Sequence, residues 1–247
     1  MLNYHLGGKF MVEKRVAIAT AASRGIGAGC ARELANQGYS VALFARSESV
    51  LKFAESLNGF GMQGSLASQK DVDNLVEATL KRYGRIDAVV NSAFDPPNPD
   101  LLTISDEMWH EIFDVLFLSV VRVARAVTEP MIQSGGGVIV NISACDSHEP
   151  SLATPFSGTI RAAMEGFTKM YAKRYALQRL RMISVAPFYV ADSMEDLEGW
   201  DVPDDLMWGC PPRYDEFGKF VAFLVSDAAK FVSGVSIKHD EARSKAV

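Results

Sequence analysis

The chain alternates short β-branched runs with longer segments whose apolar residues recur at helical spacing. Residues 15–20 and 39–45 each form a run that predicts a buried strand. The segment between them, residues 28–37, predicts a helix that ends at Gly38, since glycine is a common helix stop. This part of the chain therefore predicts a βαβ unit.

The same alternation continues toward the carboxyl end of the chain. Further strands are predicted at residues 59–64, 86–90, 138–143, 181–186 and 232–237. Further helices are predicted at residues 48–57, 68–83, 105–133, 156–176 and 214–226. This order is typical of an α/β protein in which helices cover both faces of one doubly wound parallel sheet of about seven strands.

Two segments fall outside the alternation. Residues 1–10 are polar, and we expect them to be a disordered extension or a tag, which leaves residues 11–247 as a single domain. Residues 193–212 show no periodicity and predict a loop or a small lid.

A glycine-containing turn, Ser23-Arg24-Gly25-Ile26-Gly27, joins the first predicted strand to the first predicted helix. Glycine lets the backbone approach a ligand closely, and the free N–H groups of a helix N-terminus attract anions. The turn therefore predicts a phosphate site. The spacing departs from G-x-G-x-x-G because Cys30 takes the last position, so a turn that only packs the helix on the strand is the alternative.

Two arginines flank the place where a βαβ unit selects its dinucleotide. Arg46 and Ser47 follow the second predicted strand, and Arg24 lies in the turn. A carboxylate at this strand end would accept hydrogen bonds from a free ribose, whereas guanidinium groups favour a 2′-phosphate. The sequence therefore predicts a preference for NADP(H) over NAD(H), with two solvated surface arginines as the alternative.

Charge and composition narrow the range of partners. The net charge is −5 and no basic stripe is present, which argues against nucleic acid and anionic membranes. The longest apolar run, residues 115–121, is too short to span a bilayer. The three cysteines and the histidines are dispersed, so no metal site or disulfide framework is predicted. A small-molecule partner and a reducing, cytoplasmic location fit this composition.

Several motifs, in order along the chain, carry a resemblance to a known family. They are residues 20–27 (TGxxxGxG, with Ala21 for the first glycine), 90–93 (VNNA), 138–143 (GxIVNIS), 185–187 (VxPG) and 223–234 (FLxSDxAxxxxG). On these residues the chain resembles the short-chain dehydrogenase/reductase (SDR) family over nearly its whole length. The resemblance implies a single Rossmann-like domain, a nicotinamide cofactor and an oxidoreductase activity.

The catalytic tetrad of the family is the main departure. Carried over position by position, its asparagine falls on Leu116, its serine on Ala144, its tyrosine on Ser157 and its lysine on Arg161. The resemblance implies that the tyrosine handles the substrate proton, with a pKa lowered by the neighbouring cation. Arg161 keeps the positive charge, but Ser157 is a far weaker acid than tyrosine. We therefore expect a divergent member that lacks the usual mechanism.

The resemblance also implies which residues hold the cofactor. They lie in the turn and at the ends of the strands: Thr20, Ser23, Arg24, Gly25, Ile26, Gly27, Arg46, Ser47, Leu66, Asn91, Ala93, Arg161, Pro187 and Val190. Phe94 and Phe188 replace small glycines that lie beside the nicotinamide in the family, and Ser65 replaces an aspartate that contacts adenine. We expect the two phenyl rings to narrow the nicotinamide pocket.

Loops at the carboxyl edge of the sheet offer other proton carriers. His148 with Asp146 is the best candidate, because imidazole titrates near neutrality, and Tyr189 is the second. Asp95, Cys145 and Asp192 lie on the same loops. For each of these side chains the alternative is an ordinary loop residue.

Two hypotheses of different classes follow. The first is an NADP(H)-dependent oxidoreductase that reduces a carbonyl or an activated C=C compound by a non-standard mechanism. The second is a pseudoenzyme that binds a nucleotide or small molecule as a sensor or partner subunit, and a non-redox isomerase or lyase is a third. Apolar residues on more than one face of the helices at 115–127 and 162–175 predict a homodimer or homotetramer.

Overall fold

A parallel sheet of seven strands forms the centre of the molecule, whose computed structural model describes residues 14–94, 96–198, 202 and 206–245. The strands are β1 (Val16–Thr20), β2 (Ser40–Ala45), β3 (Phe60–Gln63), β4 (Ala88–Asn91), β5 (Gly137–Ile142), β6 (Leu180–Pro187) and β7 (Ser236–His239). They pair in the order β3-β2-β1-β4-β5-β6-β7, and every pairing is parallel. Because the order reverses between β1 and β4, a crevice opens there at the carboxyl ends of the strands. The predicted doubly wound sheet is confirmed.

Helices cover both faces of this sheet. They are α1 (Gly25–Asn36), α2 (Ser49–Ser56), α3 (Gln69–Tyr83), α4 (Asp106–Phe113), α5 (Ser119–Gln133), α6 (Pro155–Tyr175) and α7 (Tyr214–Val225). Leu34 of α1 and Phe217 of α7 pack with one face of the strands, and Leu75 of α3 and Val127 of α5 pack with the other. The result is three layers, with all five residues of β1 buried between the helical layers.

Three predicted boundaries are wrong. Helix α1 begins at Gly25 rather than at residue 28, so the glycine turn leads directly into the first helical turn. The predicted helix at 105–133 is interrupted by a π-helical turn, Asp114–Leu118, between α4 and α5. Strand β7 begins at Ser236 rather than at residue 232, because Gly234 adopts a φ of +66°, which an extended strand does not allow.

Some predicted segments lie outside the described residues. These are the extension at residues 1–10, Asp95, and residues 199–201 and 203–205 of the predicted lid. The described part of the lid contains a short 3₁₀ turn, Glu195–Leu197. Just before the lid, Ala191 donates its backbone N–H to the carbonyl oxygen of Pro212 at 3.0 Å. The two ends of the lid region are therefore tied together.

Helices α1 and α7 pack backbone to backbone. A side chain at Gly29 would collide with the carbonyl group of Tyr214, and one at Gly218 would lie 2.7 Å from the carbonyl oxygen of Gly29. Glycine is needed at both positions for this close approach. The packing seats the first residue of α7, Tyr214, beside the glycine turn.

Candidate functional site

The turn between β1 and α1 leaves backbone donors for a ligand. Gly25 has a φ of +62°, and a side chain at Gly27 would lie 2.7 Å from the carbonyl oxygens of Thr20 and Ala21. The residue before the helix, Arg24, makes no side-chain capping hydrogen bond. Among the described residues no side chain caps the N–H groups of the first turn of α1, which begins at the switch point of the sheet, where an anion is favoured.

Ala21 occupies a strained backbone conformation in the same turn. Its φ is +48°, in the left-handed region that costs an L-residue with a Cβ roughly 1 to 2 kcal/mol. This is the position where the resemblance implies glycine. The turn keeps the glycine geometry although the glycine is replaced.

Arg46 lies at the carboxyl end of β2 with a phenyl ring against it. Its guanidinium carbon is 5.5 Å from the centroid of the Phe94 ring, a cation–π distance. Its backbone oxygen accepts a 2.8 Å hydrogen bond from Gln63 Nε2. The ring lies over the arginine predicted to select the cofactor, because the end of β4 is separated from the end of β2 only by β1. The expectation that Phe94 lies beside the nicotinamide stays a prediction.

A small cleft lies between the strand ends and helices α5 and α6. Its lining combines residues predicted to hold the cofactor with residues of the tetrad positions: Thr20, Leu66, Asn91, Ser92, Ala93, Leu116, Ser119, Val120, Ile142, Arg161 and Met164. Ser23, Arg24, Gly25, Ile26, Gly27, Arg46, Ser47, Pro187, Val190, Ala144 and Ser157 are not among its walls. The roles of all these residues stay predictions.

A chain of buried polar side chains leads into the cleft. Asn91 Nδ2 donates to Asn141 Oδ1 at 2.9 Å, Asn141 Nδ2 donates to Thr168 Oγ1 at 3.1 Å, and Thr168 and Ser184 share a hydrogen bond of 2.9 Å. The other amide atom, Asn91 Oδ1, is buried and has no hydrogen-bond partner in the part of the chain that the structure describes. An orphaned buried acceptor on a cleft wall is a place for a ligand donor.

Ser157 and Arg161 contact each other one helical turn apart on α6. Arg161 Nε donates to Ser157 Oγ at 3.2 Å, and Arg161 Nη1 donates to the carbonyl oxygen of Ile142 at 2.7 Å. Both residues are buried, with exposed fractions of 3% and 7%. A guanidinium group thus stands on the cleft wall beside a hydroxyl group that it cannot turn into a useful acid.

Leu116 belongs to an apolar cluster. It packs with Ile104, Ile112, Phe156 and Ile160, and the Trp109 ring meets the Phe156 ring edge to face at 4.7 Å. Phe156, one residue before the tyrosine position, is fully buried there. The asparagine position therefore faces packed hydrocarbon as well as the cleft.

The π-helical turn that carries Leu116 is clamped by Arg122. Its Nη2 forms an ion pair with Asp114 Oδ1 at 2.5 Å, and its Nη1 donates to the backbone oxygens of Asp114 and Leu66. This side chain therefore ties the turn to the loop after β3, where Leu66 lines the cleft.

The proposed substitute proton carriers have other partners. His148 Nε2 is 2.8 Å from Ser236 Oγ, and Asp146 Oδ1 accepts a hydrogen bond from Thr154. A role of His148 with Asp146 in proton transfer stays a prediction. Burial raises the pKa of Cys145 to about 12, and its Sγ lies against the carbonyl oxygen of Ala186. Tyr189 packs edge to face on Phe188 and lines a second pocket, away from the cleft.

Two features near the site were not predicted. The Tyr214 ring lies beside Gly25, and the backbone N–H of Tyr214 donates to Asp192 Oδ1 at 3.2 Å. Burial and the charges of Asp196 and Asp192 raise the pKa of the Tyr214 phenol, while Arg24 lowers it. Glu165 accepts hydrogen bonds from Ser143 and Ser147, the residues around the serine position. Neither contact has a local sequence signal, since each joins residues distant in the chain.

The described residues also bear on metal binding and on membrane insertion. No three His, Cys, Asp or Glu side chains there converge into a ligand set. None of the helices described combines the length and apolar character required to cross a bilayer.

Known reductases and dehydrogenases are similar to this chain in sequence. A family model described as enoyl-(acyl carrier protein) reductase matches residues 20–241. The 3-oxoacyl-(acyl-carrier-protein) reductase FabG of Staphylococcus epidermidis is 27% identical over 232 residues, which cover 90% of this chain and 95% of that protein. Dehydrogenase/reductase SDR family member 4 of Caenorhabditis elegans is 26% identical over 243 residues, covering 91% and 93%.

Solved structures share the fold. L-sorbose reductase from Gluconobacter frateurii, in complex with NADPH and L-sorbose, has a TM-score of 0.88 at 24% identity, covering 96% of this chain and 98% of that one. Acetoin dehydrogenase from Enterobacter cloacae has a TM-score of 0.84 at 24% identity, covering 93% and 95%.

Proposed function

This chain belongs to the short-chain dehydrogenase/reductase family, and from that membership we propose that it binds NADP(H) and reduces a carbonyl or an activated C=C compound. The observation that carries the proposal is the uncapped first turn of α1, which faces the crevice at the switch point of the sheet. A diphosphate suits those backbone donors. The L-sorbose reductase that shares this fold was solved in complex with NADPH, and this supports the same cofactor for the present chain.

Two arginines support NADP(H) over NAD(H). No ion pair or side-chain hydrogen bond of Arg24 or Arg46 occurs among the described residues, so both guanidinium groups keep their donors for a 2′-phosphate. The first two residues after β2, Arg46 and Ser47, carry no carboxylate, and Glu48, the third, is the N-cap residue of α2.

The cleft would hold the reacting end of the cofactor. Asn91 Oδ1 can accept a hydrogen bond there, and Arg161 can donate one to a ribose or a substrate oxygen. NADPH, when bound, supplies a hydride. The chain then has to position the acceptor, and positioning alone is worth ~7 to 11 kcal/mol.

The proton is the step that departs from the family. Ala144, Ser157 and Leu116 offer no group that titrates near neutrality, so we propose that water delivers the proton to an acceptor that needs little acid assistance. Loss of a general acid costs about 10²- to 10⁴-fold in rate. We therefore expect slow turnover on simple ketones and faster turnover on activated C=C compounds.

A pseudoenzyme is the second candidate, and one observation favours it. The substitute proton carriers His148, Asp146 and Cys145 have partners within the fold, so they are not poised over the cleft. In that reading the bound nucleotide is a signal, and the protein acts as a sensor or a partner subunit.

Titration separates the two candidates. We expect NADPH to quench or shift protein fluorescence with a lower Kd than NADH, and we expect measurable oxidation of NADPH with a panel of enones and ketones. Binding without oxidation would favour the pseudoenzyme. Absence of binding would contradict both candidates.

A variant with the tetrad positions restored tests the positional carry-over. The family's serine, tyrosine and lysine are introduced together by Ala144→Ser, Ser157→Tyr and Arg161→Lys. We expect this variant to reduce ketones faster than the wild-type chain by about 10²-fold or more. The matched control has Ala144→Ser with Ser157→Phe and Arg161→Lys, which has the ring but no acid. Equal rates for the two variants would show that the tyrosine was placed at the wrong position.

We also propose a homodimer or homotetramer in the cytoplasm. Exposed apolar side chains on α4 and α6, among them Met108, Phe113 and Met170, would be covered by a second copy. Light scattering at micromolar concentration is expected to give at least twice the chain mass of 27.0 kDa. A monomeric mass would contradict the proposal.

A further inference from the structure

The contact between Phe94 and Arg46 joins two strand ends across the crevice. Phe94 follows β4 and Arg46 follows β2, and β1 with its glycine turn lies between these strands. The guanidinium carbon is 5.5 Å from the ring centroid. The contact therefore stands beside the turn that is expected to hold the diphosphate.

Phe94 is fixed from its other side. It packs against the apolar cluster of Ile104, Ile112, Leu116, Phe156 and Ile160, and it is half-buried, whereas Arg46 is exposed. The ring thus belongs to the packed part of the molecule and the arginine to the surface. Their contact restrains the Arg46 side chain before a ligand binds. Less rotamer freedom is therefore lost when a ligand binds.

The ring leaves the chemistry of the arginine intact. A guanidinium group has two faces and a planar edge of N–H donors, and a cation–π contact uses one face. Among the described residues no carboxylate or side-chain acceptor pairs with the N–H edge of Arg46. The edge is therefore available for a bidentate phosphate.

We propose that Phe94 is a specificity-determining residue, which holds the Arg46 guanidinium in place as a receptor for a ribose 2′-phosphate monoester. This inference rests on the proposed NADP(H) site and adds to it the residue that orders its arginine. A glycine at position 94 leaves Arg46 without this support.

Calorimetric titration with two fragments tests the proposal without any turnover. The probes are adenosine 2′,5′-bisphosphate and adenosine 5′-monophosphate, which differ only in the 2′-phosphate. The wild-type chain is expected to prefer the bisphosphate. Phe94→Leu keeps the apolar packing but removes the π face, and we expect it to weaken bisphosphate binding by about two- to fivefold and leave the monophosphate unchanged.

Further variants link the effect to the arginine. Arg46→Gln is expected to abolish the preference for the bisphosphate, and Phe94→Leu added to it is expected to change nothing more. Phe94→Trp keeps an aromatic face and is expected to keep the preference, which gives a second measurement if Phe94→Leu does not fold. Phe53→Leu is the matched control, because the Phe53 ring lies at the same 5.5 Å from Arg32 on the surface.

The inference would be overturned by equal or tighter bisphosphate binding by Phe94→Leu, or by no preference for the bisphosphate in the wild-type chain. The proposed function fails separately. Preference for the bisphosphate with no binding of NADPH would contradict the NADP(H) site and support the phosphate receptor, whereas NADPH binding that Phe94→Leu leaves unchanged would contradict the receptor alone.

Discussion

Ala21 is the residue with the clearest individual cost. Its φ of +48° is forced by a turn whose carbonyl oxygens crowd Gly27. Glycine takes this conformation without steric penalty but loses more entropy on folding. We expect Ala21→Gly to raise the free energy of unfolding by about 0.5 to 1 kcal/mol, measured by urea denaturation.

A matched substitution separates strain from a general effect of glycine. Ala35→Gly lies inside α1, where the backbone is helical, and is expected to lower the free energy of unfolding by about 1 kcal/mol. Destabilisation by both substitutions would show that the turn does not strain Ala21.

Residues of the site divide into those that the sequence could reveal and those that it could not. The glycine turn and Asn91 belong to local motifs, so their place at the crevice follows from the order of strands and helices. Phe94 against Arg46 and Tyr214 beside Gly25 could not be predicted, because each contact joins segments that only the sheet and the α1–α7 packing bring together.

Among the elements, α7 has a half-buried arginine at its carboxyl end. Arg181 of β6 donates to the backbone oxygens of Leu224, Val225, Ser226, Ala229 and Val232, and burial lowers its pKa. The carbonyl groups of Leu224, Val225 and Ser226 thereby obtain a charged donor at the negative end of the helix, and those of Ala229 and Val232 obtain one in the segment that follows. We expect Arg181→Met to lower the free energy of unfolding by about 2 to 4 kcal/mol, because those groups lose their partner.

The exposed Arg174 of α6 gives the control for this prediction. Arg174→Met removes a guanidinium group of similar size from the surface and is expected to change the free energy of unfolding by about 0.5 kcal/mol or less. A similar loss in both variants would show that the carbonyl groups at the end of α7 do not need Arg181.

Elements with regular periodicity were predictable, and irregular ones were not. The bounds of α3 were predicted to within one residue, and Ser68 caps the helix by accepting from the backbone N–H of Asp71. The π-helical turn was missed because its residues, Asp114–Leu118, keep the apolar spacing of an ordinary helix. The start of β7 was predicted too early, because β-branched residues near Gly234 favour a strand, whereas the positive φ of Gly234 is not visible in the sequence pattern.

For the whole molecule, pH is expected to act through His239. The His239 ring contacts the rings of Phe217 and Phe220. Burial lowers the pKa of His239 below the ordinary 6.5, and this outweighs its backbone hydrogen bond and the charges of Glu241 and Asp240, which raise the pKa. The unfolded chain then takes up the proton at a higher pH than the folded chain, so acidification through pH 6.5 favours unfolding.

Chemical denaturation between pH 8 and pH 5 measures this effect. We expect the free energy of unfolding to fall as the pH drops through about 6.5, and we expect a smaller fall in His239→Asn. The same slope in both proteins would show that His239 is not the group responsible.

The architecture of the whole molecule was predictable because each strand and helix carries its own pattern. Buried strands such as β1 are apolar on both faces, which only a sheet covered by helices on two sides can satisfy. Assembly with further copies stays a prediction, since exposed apolar residues such as Met170 show a surface that could be covered and not what covers it.

The interruption between α4 and α5 also fixes which side of α4 meets water. A π turn acts as a one-residue insertion, and each residue of an α-helix advances the azimuth by about 100°. Deleting one residue between positions 114 and 118 would bring both helices into a single phase, swinging the buried Ile112 outward. The insertion thus sets the rotation of α4 about its own axis, and its loss would turn every side chain of α4 toward a different direction.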